Sequence, residues 1–295
     1  MNSNKKLAIA LCLPAYNEEA NIGKLLESLL AQKTRRVVIE KIIVVSSAST
    51  DRTNEIVKSF IAKDSRISLI KQKKRLGKAS AINAFLKVVE HEVVVIQSTD
   101  TICEPNTIEL LCLPFLKDKK IGMTGGAPHP VNDKNSFLGY VVHTWWWFHR
   151  NIPRFGEIIA YRNVLPRISE KTAVDEAFIQ AKMVQLGYKI VHVDEAKVWN
   201  KGAESLSDII KQRRRIFNGH VRLYREEGIK IDSMTKSTIW LLLYKYRPAT
   251  LKELIWLSGA ISIEIFVNIL GRFDMKYSDN NPYIWDVARS TKNVK

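Results

Sequence analysis

The amino-acid sequence predicts an α/β fold built on a parallel sheet with helices on both faces. Four strand-length apolar runs recur within the first hundred residues, and the segments between them carry apolar residues at helical spacing. Ligands of such sheets bind beyond the carboxyl ends of the strands, and each run here gives way to a polar or small stretch.

"LAIALCLP" (7–14) is apolar throughout and stops at Pro14, as an inner parallel strand does. Ile22, Leu25, Leu26, Leu29 and Leu30 then share one helical face. "KIIVVSS" (41–47) reads as the second strand. Ser49, Thr50 and Asp51 are candidate caps for a helix whose apolar positions are Ile56, Phe60 and Ile61. "ISLIK" (67–71), a helix over 77–91 and "VVVIQ" (93–97) complete four units. The residues after the strands should therefore line one crevice: Pro14 to Glu18, Ser46 to Ser49, Arg75 to Lys78, and Ser98 to Asp100.

Composition places the 295-residue chain among ordinary globular proteins, with 46% hydrophobic and 26% charged residues. Lys and Arg outnumber Asp and Glu by 46 to 30, a net charge of +16 that favours an anionic partner: a phosphorylated small molecule, a membrane surface or nucleic acid. Nucleic acid is not expected, because no recognition helix or aromatic-basic sheet pattern accompanies the charge. Cys12, Cys103 and Cys112 lack metal-finger spacing and read as buried thiols of a reducing compartment. The apolar run at the amino end is too short for a signal peptide and merges into the first strand.

Beyond residue 100 the alternation loosens. "GMTGGAPHP" (122–130), the aromatic block "HTWWWFHR" (143–150) and the basic stretch from Lys211 to Lys230 follow. At least two of Trp145, Trp146 and Trp147 are expected in the core, while His143 and His149 could line a groove. "STIWLLLYKY" (237–246) and "LIWLSGAISIEIFVNIL" (254–270) are the most apolar segments. The second is shorter than the ~20 residues a bilayer span needs and carries Glu264 and Asn268, so it reads as a helix lying in a membrane interface or packed in a dimer.

"LPAYNEEANIGKLLESLLAQ", "IIVVSSASTDRTNEI" and "RLGKASAIN", in that order, resemble the inverting nucleotide-sugar glycosyltransferases of family 2, which include dolichyl-phosphate mannose synthases and cellulose synthases. The likeness runs from about Ala8 to Tyr224. It implies a GT-A fold, a Rossmann-like mixed sheet, here with a C-terminal apolar or amphipathic helical extension. It further implies a nucleotide-sugar half over 1–100, an acceptor and catalytic half over 101–230, and a membrane-interface or oligomerisation region over 231–295.

Carried over by residue, the resemblance puts Pro14, Ala15, Tyr16 and Glu18 around the donor nucleoside. Arg75, Gly77 and Lys78 would approach base or diphosphate. The family's acidic second strand end is Ser46-Ser47 here, which loses a carboxylate that reads the base and leaves uridine and guanosine donors open. Its Asp-x-Asp aligns with Ser98-Thr99-Asp100, so Asp100 is the candidate ligand of Mn²⁺ or Mg²⁺; a plain capping role is the alternative. Asp175-Glu176, eleven residues ahead of Gly187 by the second member, supplies the catalytic base, with Glu176 favoured by register and Asp175 equally able by chemistry. A simple acidic pair at a helix start is the competing reading. Gln212, Arg213 and Arg215 stand where diphosphate-binding residues are expected, Ile216 replaces a tryptophan of polymerising members, and His220 reads as structural. Glu157 and Arg162 fall where related chains pass beneath the donor sugar, Glu157 being kept as a site candidate, and the Gly-rich 122–130 stretch resembles an acceptor-cleft flank.

The implied activity is transfer of one sugar from a nucleotide diphosphate, GDP-mannose first and a UDP-sugar second, to a lipid-linked or glycan acceptor. The expected location is the cytoplasmic face of a membrane, peripheral or monotopic, with homo-oligomerisation through the C-terminal helices possible. A degenerate relative that binds nucleotide without catalysis is the alternative, motivated by the serines at 46, 47 and 98.

Overall fold

The structure is a computed structural model that describes residues 6–152, 155–228 and 244–277. Residues 237–243 of the first apolar segment, like Lys230, lie outside the described residues. Strand β1 (Leu7–Ala15) is central and runs parallel to β2 (Val37–Ser47) on one side and β4 (Val93–Gln97) on the other. β3 (Ile67–Gln72) adds to β2, again parallel. The helices between them are α1 (Ile22–Leu30), α2 (Thr53–Ile61) and α3 (Lys78–Leu86).

The second half of the chain extends the same sheet with β5 (Thr101–Cys103), β6 (Ile121–Pro130), β7 (Ile158–Arg162) and β8 (Lys189–Asn200). The order is β3-β2-β1-β4-β7-β6-β8-β5. β6 and β8 run in the same direction as the first four strands; β7, antiparallel to both β4 and β6, and β5, antiparallel to β8, depart from the parallel expectation and give the mixed sheet of the GT-A class. The physical reason is α5 (Phe137–Asn151), which leaves β6 and returns to β7 at the same end of the sheet instead of crossing back over it. The remaining helices are α4 (Thr107–Lys117), α6 (Asp175–Gln185), α7 (Leu206–Glu227) and α8 (Leu251–Tyr277).

β1 is buried on both faces, which is why its sequence is continuously apolar. Leu7, Ile9, Leu11 and Leu13 pack towards α1, α2 and α4, while Ala10 and Cys12 face Ile82 and Phe85 of α3 and Phe178 and Ile179 of α6. Each fully buried Leu or Ile contributes about 1.5–3 kcal/mol, so the two layers fix the register of the central strand. The three cysteines are buried free thiols, as the sequence suggested. Burial pushes the Cys103 thiol up to about 12, and those of Cys12 and Cys112 higher still.

Local expectations are corrected in three places. β2 begins at Val37, four residues before the apolar pattern becomes clear, because the Glu109 carboxylate of α4 accepts the backbone amides of Arg35, Arg36 and Val37 at 3.0, 3.0 and 3.1 Å. Ser49 and Thr50 do not cap α2; they bond to Asn17, and Asp51 accepts the Thr53 amide at 3.0 Å. The Gly-rich stretch is inner strand β6, and its glycines serve close packing: a Cβ on Gly125 would lie 1.8 Å from the Phe155 ring.

Candidate active site

The carboxyl ends of β1, β2 and β4 open into one cleft of about 380 Å³, closed on its far side by α5, α6 and α7. The loops there bend sharply. Asn17, Ala48 and Glu157, the non-glycine residues with positive φ among those described, stand at 52°, 57° and 65°. Asn tolerates this conformation, whereas Ala and Glu adopt it at a cost of about 1–3 kcal/mol that the surrounding bonds must offset. For Asn17 those bonds reach the β2 end: its amide donates to Ser49 Oγ at 3.2 Å, and its side chain accepts the Thr50 amide at 2.8 Å. For Glu157 the backbone carbonyl accepts the Ser98 amide at 2.7 Å and Oε1 accepts Asn200 Nδ2 at 3.2 Å.

Most sequence-chosen residues meet in this cleft. Pro14, Ala15, Tyr16 and Glu18 line it from β1, Ser47 from β2, Arg75, Gly77 and Lys78 from the α3 entry, and Ser98, Thr99 and Asp100 from β4. The Arg75 guanidinium lies 3.9 Å from the centre of the Tyr16 ring, a flat cationic shelf on the β1 side of the cleft. Gly77 turns into α3 at φ 88°, a conformation glycine adopts without strain. Ser46 stays behind the wall, where its hydroxyl donates to Ser49 Oγ at 3.0 Å.

Across the cleft, α6 starts with the acidic pair. Lys78 Nζ bridges both members, 3.0 Å from Asp175 Oδ2 and 2.6 Å from Glu176 Oε1. The two carboxylates are not equivalent. Asp175 is only 2% exposed and does not line the cleft, whereas Glu176 does. Burial, then the Glu176 charge, push the Asp175 carboxyl up to about 6 despite Lys78. Burial also acts to raise Glu176, but the Lys78 ammonium outweighs it and holds that carboxyl below its ordinary value. For Lys78 burial acts downward, and the Asp175 and Glu176 charges overcome it, keeping the ammonium well above its usual range. Glu157 is pushed up to about 7, first by burial and then by the facing Asp100 charge.

The run Arg213-Arg214-Arg215 sends its three guanidiniums in three directions, as successive helical residues do. Arg215 lines the cleft; burial draws it down to about 10 against the opposing fields of Glu176, Asp175, Asp100 and Glu157. Arg213 also lines the cleft, but its guanidinium is held by both oxygens of Glu264 at 2.8 and 2.9 Å and rests 4.6 Å from the Trp145 ring. Arg214 pairs with Asp274 on α8. Gln212 lines the cleft as expected.

Several residues depart from the sequence reading. Trp145 and Trp146 both face the cleft with His149, and Trp147 packs against Tyr246, so one tryptophan of the three is packing and two are wall. His143 instead bonds the Asn132 carbonyl at 2.9 Å. Arg162 sits at the opposite end of β7, bonded to Glu92 and the Ile121 carbonyl. His220, Asn200, Lys201 and Gln180 line the cleft without having been selected. For His220 the only signal was its place one turn beyond the arginines. Asn200 gave none, since it arrives at the end of a strand whose pairing is not visible locally.

A divalent cation suits the donor set. Asp100 offers a carboxylate, and the buried Asn200 Oδ1 in the same cleft has no hydrogen-bond partner. Both are hard oxygen donors of the kind Mg²⁺ and Mn²⁺ take. No group of three His, Cys, Asp or Glu able to hold a metal exists among the described residues, so a cation held here would take its further oxygens from a ligand and water.

Comparison with known proteins agrees with this fold. The model of the family described as Glycosyl transferase family 2 matches residues 10–165. The chain is 25% identical over 232 residues to Probable glycosyltransferase YdaM of Bacillus subtilis, covering 72% of this chain and 55% of that protein. It is 31% identical over 108 residues to Dolichyl-phosphate beta-glucosyltransferase ALG5A of Trichomonas vaginalis, covering 35% of this chain and 33% of that one. The chain thus spans about half, or less, of the length of these curated relatives. In fold it is similar to the mannosyltransferase PcManGT from Pyrobaculum calidifontis, solved with GDP-Man and Mn²⁺, at a TM-score of 0.67 and 17% identity over 94% of this chain and 89% of that one.

Proposed function

The chain belongs to glycosyl transferase family 2, and from that premise we propose that it moves one sugar, with inversion, from a nucleotide diphosphate to a lipid-linked acceptor at a membrane surface. The observation that carries the reading is the juxtaposition, in one cleft, of Asp100, the Lys78-bridged acidic pair and the buried Arg215. Residues 1–100 are the donor half and 101–230 the acceptor half in this reading, with 231–295 at the membrane.

Glu176 is the base of this reading. It faces the cleft while Asp175 does not, and the Lys78 ammonium keeps it ionised at neutral pH, ready to take the proton of the attacking acceptor oxygen, whether hydroxyl or monoprotonated phosphate. The acceptor oxygen then attacks the anomeric carbon from the face opposite the departing diphosphate. Arg215 faces the charge that builds on that leaving group, and its low-dielectric surroundings strengthen the attraction. Asp100 and Asn200 would hold a Mn²⁺ or Mg²⁺ ion, whose chemistry is to neutralise diphosphate oxygens. The Tyr16–Arg75 shelf suits a nucleobase, and Trp145 and Trp146 offer the acceptor apolar faces.

GDP-mannose is the first donor of choice, supported by the ligand named for PcManGT, and a UDP-sugar the second. The lipid acceptor is supported by the name of the dolichyl-phosphate relative. The cytoplasmic leaflet, with peripheral or monotopic attachment, suits the +16 charge and the apolar α8. The test is incubation with a panel of sugar nucleotides and Mn²⁺, scored by nucleoside diphosphate release. Release from one donor, accelerated by a polyprenyl phosphate, is expected; no release from any donor with any acceptor refutes the reading.

A further inference from the structure

α8 has two unlike faces. Leu257, Ala260 and Val267 are buried against the protein, and Trp256 meets Phe137 and Tyr140 of α5 edge-on. On the opposite face Leu254, Ile255, Ile265, Phe266, Ile269 and Phe273 are each 47–62% exposed. They fall in two groups, 254–255 and 265–273, which positions 258 and 262 join at three- and four-residue steps into one face about 28 Å long at 1.5 Å per residue. Ser258 and Ser262 complete it, and their hydroxyls donate to the Leu254 and Ser258 carbonyls at 3.0 and 2.9 Å, so neither demands water.

The charges are sorted just as sharply. Every acid described on α8 is turned away from the stripe and engaged: Glu253 accepts the Ala249 amide, Glu264 is held by Arg213, and Asp274 by Arg214. The exposed charges beside the stripe are basic: Lys245 and Arg247 ahead of its amino end, Lys252, whose ammonium rests 4.2 Å from the centre of the Trp256 ring, and Arg272 near its carboxyl end. A second copy of the chain is a poor occupant. Two-fold packing sets Lys252 against Arg272 when the helices are antiparallel and against itself when they are parallel, with no acid on the stripe in either register. A transmembrane orientation is equally poor, since it drives the Arg213–Glu264 and Arg214–Asp274 pairs into hydrocarbon. An anionic bilayer lying along the helix satisfies both the apolar stripe and its basic ends.

We propose that the exposed face of α8, with Lys245, Arg247 and Lys252 at its amino end, seats the protein on an anionic lipid surface with the helix axis in the membrane plane. α5 then runs from the protein side of α8 to the cleft, with Phe137 and Tyr140 on the α8 side and Trp145 and Trp146 on the cleft side. This second step, delivery of the acceptor along α5, rests on the lipid-linked reading above; the docking itself does not.

The experiment is co-sedimentation of the full chain with phosphatidylcholine vesicles, with and without phosphatidylglycerol, together with light scattering in the absence of lipid. Binding to the phosphatidylglycerol vesicles is expected, weakening as salt is raised. The double substitution Phe266→Asp and Ile269→Asp should lower it about a hundredfold, and Lys245→Gln with Lys252→Gln by about five-fold per lost charge, a base near the surface contributing about 1 kcal/mol. GDP and UDP binding, measured on the same variants, verifies that they are folded. Vesicle binding equal in parent and Asp variant overturns the proposal. So does a parent that ignores vesicles but forms a dimer which the same substitutions dissolve, because a second copy then covers the stripe. Vesicle binding without nucleoside diphosphate release upholds the docking surface while refuting the transferase reading.

Discussion

Replacing Lys78 with methionine keeps the length of the side chain and removes the cation that two buried carboxylates share. The Lys78, Asp175 and Glu176 side chains are 19%, 3% and 18% exposed, so solvent screens the trio little. Removing one partner of a buried ion pair costs about 3–5 kcal/mol. The native state can limit that cost by binding a proton on Glu176, whose ordinary value is 4.5. At about 1.4 kcal/mol per pH unit, the limit is about 5 kcal/mol at pH 8 and under about 1 kcal/mol at pH 5. Without the cation the native state binds protons more tightly than the unfolded chain, so the variant loses stability relative to the parent as pH rises. Urea unfolding of both proteins at the two pH values measures the deficit directly. A deficit of several kcal/mol at pH 8 that shrinks to about 1 kcal/mol at pH 5 is expected. The same deficit at both values refutes the electrostatic account and leaves only packing.

Glu176→Gln should lower turnover about 10²–10⁴-fold and leave nucleotide binding intact, as removal of a general base does, and single-turnover measurements beside calorimetry separate the two. Asp175→Asn should behave differently: because the Asp175 carboxyl is raised to about 6 from 3.8, its ionisation costs the fold stability as pH rises through that window, so the variant should melt higher than the parent above pH 6 and alike near pH 4. A melting-temperature series against pH decides it. Asp100→Ala should abolish the Mn²⁺-dependent part of donor binding in titration calorimetry, with EDTA reproducing the loss in the parent; metal-independent binding in the parent counts against Asp100 as ligand. Arg213→Met should loosen α8, where a double-mutant cycle with Glu264→Gln is expected to give a coupling of about 1–3 kcal/mol, Arg213 being 13% and Glu264 33% exposed.

The local sequence carries the amino-terminal, parallel part of this sheet. Strictly apolar β1, helical spacing from Ile22 to Leu29 and the polar strand ends were legible because strand period, helix period and turn chemistry act between near neighbours in the chain. The crevice expected from those strand ends exists: Ser98 to Asp100 line it in full, the first and third borders do so without Asn17 and Leu76, and only Ser47 lines it from the second. What pattern could not say is which way a side chain points once helices from distant parts of the chain are packed. Asp175 and Glu176 are adjacent and chemically alike, yet Lys78, about a hundred residues away, and the packing of α6 bury one and leave the other facing the cleft. Arg213, Arg214 and Arg215 read as one basic run, and tertiary contacts divide them among Glu264, Asp274 and the cleft.

The sequence by itself therefore determined the α/β alternation, the buried thiols and the set of residues at the strand ends. Those properties depend on side-chain polarity and on spacings of two to four residues. Only the tertiary structure decided the antiparallel return of β7, the cleft wall of Trp145 and Trp146, the Lys78 bridge and the direction of the exposed face of α8. Each of these depends on where one element lies against another far along the chain, and burial and charge pairing at that range are properties of the packed molecule.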